Sequence, residues 1–107
     1  MVSERHNLTL QLGYAHNNIG HIRKYKGDYQ DALKNLRKSI SLMYKSGNKQ
    51  GIGYANLLLS QLFYNLNQYD SEYIYANNTL KISKTFASKS SIVRAIQAVG
   101  SALEGLY

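Results

Sequence analysis

The residues that could do chemistry in this chain are few and poorly spaced for it. His16 and His21 lie close in sequence, but on a helix that separation turns the second about 140° from the first. They therefore cannot chelate as an i, i+4 pair would. Only six acidic residues are present. Asp28, Asp31 and Asp70 stand where helices should start, so capping accounts for them without a carboxylate pair for acid–base work. With no cysteine, the chain has no thiolate nucleophile, no disulfide framework and no cysteine-based zinc site. The stretch Gly47-Asn48-Lys49-Gln50-Gly51-Ile52-Gly53 is as glycine-rich as a phosphate loop. It follows a helical pattern rather than a strand, however, and lacks the Gly-Lys-Ser/Thr ending, so it reads as a helix stop and turn. These residues predict no enzyme, no metal site and no cofactor.

What the chain does carry is a period. Residues 13–52 laid over 53–92 without a gap put Gly13-Tyr14-Ala15 on Gly53-Tyr54-Ala55 and Tyr29 on Tyr69. A third copy begins in phase, since Leu12, Ile52 and Ile92 align, as do Ile19, Leu59 and Val99. Self-similarity at this spacing marks stacked repeats, in which each unit buries its apolar face against its neighbours. Proline is absent and the apolar spacing is helical throughout, so the expectation is an all-α array of antiparallel hairpins.

The expected layout is a tail over 1–7, one repeat over 8–47, a second over 48–87, and the first helix of a third over 88–107. The first helix, from about Leu8 to Lys26, carries Leu12, Ala15, Ile19 and Ile22 on its apolar side. Gly27 ends it and Asp28 caps the second, whose stripe is Ala32, Leu33, Leu36, Ile40 and Met43. Gly47-Asn48 stops that helix. The third turns Ile52, Ala55, Leu59, Leu62 and Leu66 inward. Asn67-Gln68-Tyr69-Asp70 then replays the Gly27 turn without its glycine. A fourth helix presents Tyr73, Ala76, Leu80 and Ile82, and Ala87-Ser88-Lys89-Ser90 closes it. In the fifth, Arg94, Gln97, Ser101 and Glu104 form one thin polar line and the remaining sides are apolar, the pattern of a buried helix. That end is expected either to continue into more chain or to pair with another molecule as a homo-oligomer.

The net charge of +7 would suit an acidic partner. Yet Arg23, Lys24, Lys26, Lys34, Arg37, Lys38, Lys45 and Lys49 crowd the first repeat, where a solvated helical face accounts for them. Ten tyrosines with no tryptophan suit contact surfaces as well as cores. No apolar run approaches the roughly 18 residues that cross a bilayer. A cytoplasmic location is expected, or a periplasmic one if the chain is cut from a membrane sensor.

Gly27-Asp28-Tyr29 followed by Ala32-Leu33, the stretch Asn17-Asn18-Ile19-Gly20 and the loop Gly47-Asn48-Lys49-Gln50-Gly51 resemble the tetratricopeptide repeat (TPR), in the forty-residue form of bacterial regulators and Pins-like scaffold proteins. The likeness covers about Leu8 to Tyr107. It departs from the family pattern at His16 and Arg23, and at Glu72 and Ala76, where alanine and phenylalanine are usual. The resemblance implies a right-handed α-α superhelix, a solenoid of about two and a half repeats, whose first helices line a concave groove. Matching that groove onto this sequence selects Tyr14, Asn17, His21 and Lys24, then Tyr54, Leu57, Gln61 and Tyr64, then Arg94, Gln97 and Ser101. In the fifth helix this line coincides with the polar line already found from periodicity.

Such a groove implies a scaffold module that binds a peptide or partner domain, within a larger bacterial sensor or regulator. The chaperone-tail clamp of some family members is not expected, because its places hold Asn17, His21, Leu58, Arg94 and Ala98. The competing readings are a basic helical-repeat RNA binder and a self-association unit of a parent signalling protein.

Overall fold

The structure, a computed structural model, describes the backbone of residues 2–86 and 89–106, and their side chains except those of 2–4, 6, 85, 86, 89–95 and 98. It consists of α1 (Val2–Tyr25), α2 (Tyr29–Ser46), α3 (Lys49–Asn65), α4 (Tyr69–Phe86) and α5 (Lys89–Leu106). α1 thus starts six residues ahead of Leu8, and positions 2–7 are helical rather than a tail. Four of the predicted fifth-helix residues, Ile92, Val93, Arg94 and Ala95, fall outside the described side chains, as does Ala98. Ala87 and Ser88 of the predicted last turn fall outside the described residues altogether.

The turns follow from single residues. Gly27, at φ 81°, ends the α1 turn in the left-handed region. Its N–H donates to the Lys24 carbonyl and that of Asp28 to the Arg23 carbonyl, the bonding of a Schellman stop. Forty residues on, Asn67 takes φ 59°, and the N–H groups of Asn67 and Gln68 donate to Tyr64 and Phe63. Asparagine is the side chain that best tolerates this conformation, which is how the second turn forms without a glycine. Asp28 caps α2, accepting from the Asp31 N–H. Asn48 caps α3 more tightly, its side-chain oxygen accepting from the Gly51 N–H at 2.7 Å.

Each helix packs on the next in sequence, and α3 additionally touches α1 on one side and α5 on the other. Among the described residues α1 reaches neither α4 nor α5, and α2 reaches neither α4 nor α5. A closed bundle would bring those helices together; here the molecule is a slab of 50 × 33 × 18 Å. Its main core joins Ala32 and Leu36 of α2 to Leu58, Leu59, Leu62 and Phe63 of α3. Phe63 extends it to α4 by stacking on Tyr75, with ring centroids 5.4 Å apart. Burying each such large apolar side chain contributes about 1.5–3 kcal/mol. A second cluster gathers Met43, Ile52 and Ala55. The α2 and α3 stripes are thus buried as the periodicity predicts, with Leu33, Ile40 and Leu66 half-buried at their edges.

The apolar side of α1 is a correction. Leu12, Ile19 and Ile22 are 52%, 40% and 52% exposed, and Ala15 is exposed as well. The side that packs is made of small and polar residues, Gly13, Asn17 and Gly20. Gly20 faces Leu36 and Gly13 faces Met43, and the Gly13 carbonyl accepts from the buried Ser39 hydroxyl at 2.8 Å. The reason lies in the array: in α3 the equivalent residues Ile52, Ala55, Leu59 and Leu62 are covered by α1 and α2 as well as α4, whereas among the described residues α1 contacts only α2 and α3. α5 shows the converse. Ala102 is buried, but Ile96, Leu103 and Leu106 stand exposed, whereas α3 has α4 packed against it. Among its described side chains the fifth helix is therefore partly exposed rather than buried all round.

Candidate ligand-binding groove

Because α3 lies between α1 and α5, residues on one side of these three helices converge. They form a groove of about 350 Å³. α1 contributes Lys24, α3 contributes Leu57, Gln61 and Tyr64, and α5 contributes Gln97 and Ser101. All six belong to the predicted line. Ser60 and Asn65 of α3 and Glu72 of α4 complete the wall.

The remaining predicted positions lie elsewhere. Tyr14 is half-buried against the Met43 and Ile52 cluster, so its ring fills packing between helices. Asn17 is fully buried and does not line the groove. His21 packs edge-on against Tyr25, centroids 4.9 Å apart, and is absent from the groove wall. Tyr54 is exposed but does not line the groove. The Arg94 side chain lies outside the described residues. Asn17 and Leu58 are both buried, so two of the clamp places offer a ligand nothing.

Most residues of the wall are of polar types. The Lys24 ammonium donates to the Gln61 amide oxygen at 2.9 Å, tying α1 to α3 across the groove. Burial lowers the Lys24 pKa. The His21 pKa is lowered too, first by burial and then by the Lys24 charge. Glu72 is the residue that sequence reasoning missed as a site. It is 2% exposed, and its Oε1 has no hydrogen-bond partner. Burial raises its pKa, and the Ser101 hydroxyl beside it pulls the other way. The signal was present as a charged residue at a buried phase of the repeat, in the place of Ala32. Amide groups of Gln61, Asn65 and Gln97 can answer the backbone of an extended chain, and Tyr64 offers a half-exposed aromatic face for its side chains.

The cations of α2 lie outside the groove. Lys34, Arg37 and Lys38 of α2 border shallow hollows shared with Asp31, and Arg23 pairs with Asp31 at 3.0 Å. His16 is spoken for by Asn35, Nδ1 to Oδ1 at 3.0 Å. Among the described residues no cluster of three His, Cys, Asp or Glu side chains could hold a metal ion. No described helix is long and apolar enough to cross a membrane. Neither family models, nor curated proteins, nor solved structures yield a match to this chain.

Proposed function

We propose that the chain is a non-catalytic protein-interaction module of tetratricopeptide type, whose stacked hairpins hold a peptide or a partner domain in the groove between α1, α3 and α5. The recurrence of helix boundaries supports the stacking: α1 and α3 end at Tyr25 and Asn65, α2 and α4 start at Tyr29 and Tyr69, and α3 and α5 start at Lys49 and Lys89. The observation that carries the binding reading is the meeting of Lys24, Leu57, Gln61, Tyr64, Gln97 and Ser101 on one concave wall. An open, amide-rich wall suits an extended peptide better than a small molecule, which needs a more enclosed and more apolar pocket. The test is capture of display-selected peptides by the immobilised chain. Gln61→Ala with Tyr64→Ala should weaken capture while light scattering reports an unchanged particle size. Undiminished capture by the double variant would move the binding surface elsewhere.

A second reading, self-association, is favoured by the uncovered apolar sides at both ends of the array: Leu12, Ile19 and Ile22 on α1, and Ile96 and Leu103 on α5. Dilution light scattering separates it from the first. A particle size that falls on dilution, and at all concentrations with Ile19→Lys, supports association; a constant monomer removes it.

A further inference from the structure

We propose that Glu72 is the groove's receptor for a basic side chain, a lysine or arginine of the bound peptide. This rests on the peptide-groove reading above and deepens it. Glu72 has almost no contact with solvent, lines the groove wall, and leaves its Oε1 without a partner. Among the described residues no cation of the chain neutralises it: the groove's Lys24 is engaged with Gln61, and the ion pair of the array joins Arg23 to Asp31.

Packing does not require a carboxyl here. The residue forty positions earlier is Ala32, which is fully buried in the same role and closes the first hairpin beneath Gly20. Replacing that methyl with a longer acidic side chain places an acceptor under the groove, next to Ser60 and Ser101. An unpaired carboxyl held away from water is relieved in two ways, by keeping its proton or by receiving a cation. A guanidinium or ammonium brings both the charge and N–H donors for the orphan oxygen, and such charge-assisted bonds are the strong ones. Among the described residues the wall's ionisable groups come from different helices, Lys24 from α1 and Glu72 from α4, the latter beside Ser101 of α5.

The experiment selects peptides from a random display library against the whole chain, then measures each by fluorescence polarisation. Wild type, Glu72→Gln and the groove-blocking Gln97→Arg are compared, with circular dichroism checking that each is folded. Selected peptides should share a lysine or arginine. Exchanging it for norleucine or citrulline should weaken binding to wild type about tenfold or more and change binding to Glu72→Gln less than about twofold. Peptides that lose affinity to Gln97→Arg, yet show no basic preference or the same loss in Glu72→Gln, would overturn the role of Glu72 and leave the groove standing. Peptides indifferent to Gln97→Arg, or no binders at all, would sink the groove reading and this proposal with it.

Discussion

Gly20 and Gly100 share one phase of the forty-residue period, and the structure assigns opposite signs to the same substitution at the two. A Cβ on Gly20 would stand 2.7 Å from both Cγ and Cδ2 of Leu36 and 3.3 Å from the Ala32 carbonyl oxygen. Leu36 is fully buried, so it has no open space into which to turn. Overfilling a packed core costs roughly 1–3 kcal/mol, and the better helix propensity of alanine offsets about 1 kcal/mol of that. Gly20→Ala should therefore destabilise by up to about 2 kcal/mol. A Cβ on Gly100 would meet nothing within 4 Å, so only the propensity remains. Gly100→Ala should stabilise by about 1 kcal/mol and raise Tm by about 4–8 °C for a domain of this size. Thermal and urea unfolding of dilute protein, followed by circular dichroism, reads both. A cycle with Leu36→Ala adds the mechanism, because making room at Leu36 should remove the penalty at Gly20. If Gly100→Ala destabilises as Gly20→Ala does, that side of α5 is covered, and the account of an open last hairpin is wrong.

Asn17 is fully buried with both amide atoms unpaired, so Asn17→Leu should raise stability by roughly 1–2 kcal/mol in urea unfolding; a loss would mean the amide is satisfied. Removing the Asn48 cap with Asn48→Ala should cost about 0.5–2 kcal/mol, read in the same assay and undone by Asn48→Asp. Burial holds the Glu72 carboxyl above its ordinary value of 4.5, so the folded state keeps this proton more tightly than the unfolded one. That contribution is fully present below the unfolded value and is lost as pH rises through the raised folded value. Glu72→Gln should therefore flatten the stability profile across this window and exceed wild type at neutral pH by roughly 1–2 kcal/mol; parallel profiles would contradict it.

Much of the architecture was legible because helical periodicity reports which side of a helix is apolar. It placed Leu36 and Met43 on α2 and Ile52, Leu59 and Leu62 on α3 correctly, and the glycines and caps at Gly27, Asp28, Gly47 and Asn48 marked the turns. Periodicity does not report whether a neighbour exists to cover the apolar side. Leu12, Ile19 and Ile22 carry the same pattern as their α3 counterparts and yet stand in solvent, and α1 packs through Gly13, Asn17 and Gly20 instead. Of the residues expected along the groove, Lys24, Leu57, Gln61, Tyr64, Gln97 and Ser101 share one wall, whereas His21 and Tyr54 do not line it. Tyr14 and Asn17 lie outside it, the first packed against the Met43 and Ile52 cluster and the second fully buried, an outcome that their helical spacing with Lys24 does not reveal. Glu72 was visible only as a departure from the alanine of the first copy. Its significance depends on α5 lying close enough to bring Ser101 beside it.

The most direct test of the groove is chemical-shift mapping of the isotope-labelled chain during titration with a display-selected peptide. The largest changes should fall on Gln61, Tyr64, Asn65, Gln97 and Ser101, the residues of α3 and α5 that face one another across the concave wall. Changes gathered instead on Lys34, Arg37, Lys38 and Ser41 of α2 would contradict it.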